Sequence, residues 1–323
     1  AVLLASALSP IVLTAPAAAR PMTESDLATF NRLGAPAASP DGKWAAYALT
    51  TTDLAANTRS TGLYLLDSAR QDAQPVRIAD SPAHNESAPA FARDGEHLFF
   101  LSNRSGTSQV WRVALPTGEP MQVTSAATDI SGFSLSPDGN RIAVWADVKQ
   151  GCSLEGCADS TTKAKGTGRT YDRLFVRHWD SWREPGTYSR IFAYALGTDG
   201  KAAGPARIIS GSIEGDAPTK PFGGGEEITW AADSSAIAFT IRTSDGDEPR
   251  STNTDVIWQP LAEGAAAVNL TQANQATDSL PAASPDGQWL AWAAMARPGY
   301  EADRMVVHLR DMKTGKVTKL TEG

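Results

Sequence analysis

Cysteine and histidine are scarce in this 323-residue chain. There are two Cys, Cys152 and Cys157, and four His, His84, His97, His178 and His308. A metal site needs more ligands than this, and no His lies near the cysteines, so no metal or other cofactor is expected. No Gly-x-Ser-x-Gly elbow occurs, and no strand–helix alternation announces a parallel sheet, so no catalytic triad is assignable within the chain. No run of Lys or Arg forms a basic patch, and the net charge is −7. Nucleic acid is therefore excluded as a partner. Beyond residue 19 no apolar run is long enough to span a membrane.

The chain does have turns, with 27 Gly and 20 Pro beside 41% hydrophobic residues. Ser-Pro-Asp-Gly occurs three times, at Ser39–Gly42, Ser136–Gly139 and Ser284–Gly287. Weaker copies stand at Ala92–Gly95 and Ala231–Ser234. Pro fixes φ in the second position of a tight turn, Asp bonds nearby backbone, and Gly takes the last position without strain. Each copy is preceded by a short strand and followed by three more. Four strands per unit, at roughly 45–50 residues, predict an all-β propeller of four-stranded antiparallel blades. About five blades are present over 35–323, an open arc of a larger propeller. The long gap between Asp138 and Asp233 is one blade carrying an insertion, 147–189. A β-sandwich with repetitive turns is the alternative, but sandwiches do not repeat at this period.

Residues 1–19 are apolar and end in Ala17-Ala18-Ala19, which fits a cleaved export signal, clipped at its start, better than an anchor containing Pro10 and Pro16. A periplasmic or secreted location follows as an expectation. A short helix is expected over 20–34, capped by Thr23 with Asp26 three residues on. Leu27, Phe30 and Leu33 would share the face packed on the propeller rim, and Gly34 would end the helix. In an exported protein Cys152 and Cys157 read as a local disulfide, with free thiols or a metal as the alternatives.

The insertion holds the most distinctive segment, from Tyr171 to Trp182, with Arg177-His178-Trp179-Asp180 at its centre. Together with Pro221-Phe222-Gly223-Gly224, Ser251-Thr252-Asn253 and Arg297-Pro298-Gly299-Tyr300, it resembles the dipeptidyl and acylaminoacyl peptidase branch of the prolyl oligopeptidase family. The Ser-Pro-Asp-Gly repeat also marks TolB-like propellers. The resemblance implies a serine peptidase whose propeller covers a C-terminal α/β-hydrolase domain that this sequence does not contain, with peptides as substrate. The candidate substrate-contacting residues are Arg177, His178, Trp179 and Asp180, with Trp182 and Arg183 beside them, since Arg and Asp can hold a peptide terminus by charge-assisted bonds. The same residue types also hold insertions together. Glu226 and Glu227 are a second candidate, because some dipeptidyl peptidases of the family anchor the substrate amino group with paired Glu; the alternative is solvated charge at a strand entry. The competing class is a complete five-bladed or TolB-like binding propeller without chemistry.

Overall fold

The computed structural model describes residues 20–321 apart from 80–82, 158–167, 173, 175, 179–180, 212 and 245. The expected signal at 1–19, and Trp179 and Asp180, lie outside the described residues. The fold is a nearly all-β arc of five antiparallel sheets. Blade 1 is β1 (Arg32–Leu33), β2 (Ala37–Ala38), β3 (Trp44–Asp53), β4 (Thr58–Asp67) and β5 (Val76–Ile78). Blade 2 is β6 (Glu86–Phe91), β7 (His97–Ser102), β8 (Gln109–Ala114) and β9 (Met121–Gln122). Blade 3 is β10 (Ile130–Leu135), β11 (Arg141–Lys149), β14 (Thr187–Leu196) and β15 (Ala202–Ile208), with the hairpin β12 (Arg177–His178) and β13 (Ser181–Trp182) in its insertion. Blade 4 is β16 (Gly215–Asp216), β17 (Ile228–Trp230), β18 (Ala236–Thr243), β19 (Asp255–Pro260) and β20 (Val268–Asn269). Blade 5 is β21 (Asp278–Ala283), β22 (Trp289–Ala294), β23 (Val306–Asp311) and β24 (Val317–Lys319).

The repeated turn is built the same way in its three full copies. In the first, Gly42 N–H donates to the Ser39 carbonyl at 2.9 Å, and Gly42 takes φ 71°. The Ser39 hydroxyl donates to Asp41 Oδ1 at 2.5 Å and accepts Trp44 N–H at 2.9 Å. Asp41 Oδ1 also accepts Lys43 N–H at 3.0 Å. Ser136–Asp138 and Ser284–Asp286 repeat this pattern. Serine's place in the motif is thus explained: its hydroxyl satisfies the first amide of the following strand while orienting the aspartate. In the weak copy Ser234 replaces glycine at φ 61°, and its hydroxyl accepts Asp138 N–H at 3.0 Å, tying blade 4 to blade 3.

Four apolar clusters hold the arc. They straddle blades 1 and 2 (Leu63, Leu98, Phe100), 2 and 3 (Phe99, Ile142, Phe192), 3 and 4 (Ile191, Phe239, Ile257), and 4 and 5 (Val256, Leu290, Trp292). Among the described residues no cluster joins blade 5 to blade 1. In blade 5, β23 has no fully buried residue, whereas its counterpart β19 in blade 4 has four. The sheets form an open arc, and the outer flank of blade 5 is uncovered.

Two expectations are corrected. The N-terminal helix α1 is only Glu24–Thr29; its capping box is complete, with Thr23 and Asp26 bonding reciprocally. Extended backbone at Phe30 ends it, and Arg32–Leu33 pairs with β3 instead, so Gly34 is not its cap and the helix does not fill 20–34. Ladder bonds outweigh another helical turn. Leu27, Phe30 and Leu33 are exposed rather than packed on the rim. The insertion is also shorter than 147–189, because β11 and β14 stay paired to Lys149↔Thr187.

Between blades 4 and 5, the carboxylate of Asp278 is buried and accepts Trp292 Nε1–H at 2.8 Å and Asn274 Nδ2–H at 2.8 Å. Burial pushes its pKa up to about 6, with nearby Asp255 adding to the rise. An acid raised in the folded state favours folding fully below its unfolded pKa, and that contribution is lost as pH rises through 6. Asp278→Asn removes the dependence. Between pH 4 and pH 7.5 its stability should gain about 1–2 kcal/mol relative to the wild type, after allowance for screening, as read by chemical denaturation at the two pH values.

Candidate functional site

In every blade the motif turns lie at one end, and the second-to-third strand connections at the other. The insertion therefore stands on the face opposite the motif. It begins with the bridged pair Cys152–Cys157. Within that small loop Leu154 is fully buried among the residues joining blades 2 and 3, and Glu155 Oε1 accepts Ala206 N–H at 2.8 Å. The loop docks one root of the insertion on the blades.

The other root is fixed by Arg183. Its guanidinium donates to Asp216 Oδ2 at 3.0 Å and to Glu248 Oε1 at 2.5 Å, reaching from blade 3 to two elements of blade 4. Asp216 is 1% exposed and Glu248 5%. Glu248 also accepts the Ser244 hydroxyl at 3.1 Å, and Asp216 Oδ1 accepts Ser189 N–H at 2.8 Å. Burial pushes the Asp216 pKa up against the pull of Arg183 and Lys220. Arg242 closes the group by donating to the carbonyls of Glu248 and Ser251 at 3.1 and 2.9 Å. Two buried carboxylates held by one guanidinium need all their bonds, since a lone buried charge is costly.

From this root rises the hairpin β12–β13. Arg177 is exposed and lies over the Trp182 ring at 5.5 Å; Trp182 is itself 58% exposed and packs near Tyr171. His178 is partly buried, and burial, with Arg242 the next cause, lowers its pKa. A cleft of about 270 Å³ opens at Arg183, lined also by Tyr171, Tyr188, Glu214 and Glu248. Arg177, His178, Trp182 and Arg183 are thus brought together. Sequence reasoning missed Asp216, Glu248, Arg242 and Ser244.

Glu226 and Glu227 lie elsewhere, directly after the Gly223–Gly225 wall of a wider recess of about 570 Å³ that Gly132, Trp145, Asp147 and Lys220 also line but neither Glu does. They enter β17 through a single 3-10 turn, Gly225–Glu227, rather than directly. Glu227 is 7% exposed and accepts both Thr219 N–H at 2.7 Å and the Thr219 hydroxyl at 2.8 Å; burial raises its pKa. A Cβ at Gly223 would land on Thr219 backbone and the Glu227 carboxylate, which explains that glycine. Glu226 is exposed. The Glu227 carboxylate is thus bonded within the loop to Thr219, while that of Glu226 is open to solvent.

A family model for the TolB β-propeller domain matches residues 20–165. Dipeptidyl-peptidase 5 of Porphyromonas gingivalis is 32% identical over 291 residues, covering 90% of this chain and 41% of that protein. An acylaminoacyl peptidase solved in complex with Z-Gly-Gly-Phe-chloromethyl ketone superposes with a TM-score of 0.64 at 14% identity, over 93% of this chain and 41% of that one. TolB from Acinetobacter baumannii does so with a TM-score of 0.50 at 18% identity, over 91% and 55%. The structural likenesses show the fold. The chain spans about two fifths of the length of the curated relatives it matches.

Arg183→Met should destabilise the protein by about 3–5 kcal/mol at pH 7, because Asp216 and Glu248 are left buried without their cation. The loss should shrink toward pH 5 as the raised carboxyl of Asp216 takes a proton. Thermal melts at the two pH values check this; equal losses at both would show that the carboxylates are not the cause.

Proposed function

We propose that this chain is the propeller portion of an exported serine exopeptidase that releases short units from peptide N-termini, of the dipeptidyl or acylaminoacyl type. The match along 90% of the chain to 41% of a dipeptidyl peptidase carries this reading. The insertion supports it, because Arg183 and the Cys152–Cys157 loop dock its two roots on the blades and Arg177 and Trp182 are exposed between them. Chemistry would come from a hydrolase domain elsewhere in the full-length protein. The propeller would admit peptides and exclude folded proteins by size, and Arg177 would meet the peptide through charge-assisted bonds. The bridged cysteines favour an oxidising compartment such as the periplasm.

A second reading, a TolB-like binding propeller without chemistry, is favoured by the family match at residues 20–165. A fluorophosphonate probe on the full-length protein separates the two. The peptidase reading expects labelling of one Ser beyond residue 323, none within 20–323, and release of chromophore from dipeptidyl or acylaminoacyl substrates. No labelling and no hydrolysis would leave the binding propeller.

Within the peptidase reading, Arg177→Ala should raise KM by about 3–10-fold with an unchanged Tm. Unchanged kinetics would remove Arg177 from the substrate path.

A further inference from the structure

A separate recess of about 330 Å³ opens on the motif-turn face, between blades 2 and 3. Its floor is apolar, formed by Phe91, Phe99, Leu135 and Leu196. Its walls carry cations. Arg112 stands opposite Phe99 across β7 and β8, so both side chains lie on the face toward blade 3. The Arg112 guanidinium lies against Gly200 in the last turn of blade 3, where any Cβ would collide with it. Among the described residues the Arg112 side chain makes no hydrogen bond and no ion pair. On the other wall Arg93 donates to the Pro137 carbonyl at 3.3 Å through one nitrogen only. The single carboxylate of the lining, Asp94, is already engaged by His97 Nδ1 at 2.9 Å and by two backbone amides.

The repeat does not impose this chemistry. The register position of Arg112 is taken in blade 4 by Trp258, opposite Ala238. The corresponding recess between blades 4 and 5 is lined by Trp258, Trp289, Met312, Asp233 and Asp286, with no Lys or Arg. A guanidinium without a partner, set beside an apolar floor, is an anion site of a particular kind. Planar bidentate pairing suits a carboxylate, and the floor suits the side chain attached to it.

We infer that this recess binds the C-terminal residue of a peptide, with its carboxylate on Arg112 and Arg93 and an apolar side chain on the Phe91–Phe99–Leu135 floor. The site is on the face opposite the insertion and independent of the hydrolytic reading, so failure of one leaves the other standing.

Titration of the full-length protein with N-acetyl-L-phenylalanine, its C-terminal amide and inorganic phosphate, followed by calorimetry, tests it. Saturable binding of the acid is expected, with the amide and phosphate at least about tenfold weaker. Arg112→Gln and Arg93→Gln should each weaken the acid about tenfold with unchanged Tm. Gly200→Ser, which displaces the guanidinium, should act like Arg112→Gln. Equal binding of acid and amide, phosphate binding as tightly as the acid, wild-type affinity in Arg112→Gln, or no binding by about 10 mM would each overturn the inference.

Discussion

Each blade is a twisted sheet that buries apolar side chains against its neighbours, and leaving such a face to water is costly. A blade therefore has no stable form by itself; its neighbours on both sides supply the cover. The four clusters are this constraint made visible: Phe99 of blade 2 is buried with Ile142 and Phe192 of blade 3, and Ile191 of blade 3 with Phe239 of blade 4. Blades 2, 3 and 4 have cover on both sides. Blades 1 and 5 have it on one, and the partly exposed strand β23 is the direct consequence.

The same constraint decides where function can sit. The contacts between blades are committed to packing, so chemistry is left to the two ends of the blades and the wider recess walled by Gly223–Gly225. On one end the two roots of the insertion are docked on the blades, one by a buried guanidinium–carboxylate group and the other by the disulfide loop. On the other, one blade position departs from the repeat, with Arg112 where blade 4 has Trp258, and makes a cationic recess out of an apolar groove.

The architecture was legible because its signals are local. Pro40, Asp41 and Gly42 act within one turn, and the full and weaker copies at Asp94, Asp138, Asp233 and Asp286 count the blades. Ser39 was harder to interpret, since its hydroxyl bonds an amide five residues on. Helix α1 was overextended because Leu27, Phe30 and Leu33 suit a helical face, while the competing pairing of Leu33 with Leu49 is non-local. The site was legible only in part. Arg183 stands in a conspicuous segment, but its partners Asp216 and Glu248 are 33 and 65 residues away. The pairing of Glu226 with Glu227 looked meaningful in the chain, yet folding sends one carboxylate to Thr219 and the other to solvent. Adjacent residues diverge at a turn, and no sequence pattern marks that.

The open arc is the claim on which the rest depends, and amide hydrogen exchange on monomeric protein comprising residues 20–321 tests it most directly. Protection should be high and similar in β11, β14 and β18, which are covered on both sides, and lower by at least about tenfold in β23. Protection of β23 equal to that of β19 in a monodisperse, cooperatively melting monomer would mean that the five blades close on themselves, and would contradict the account.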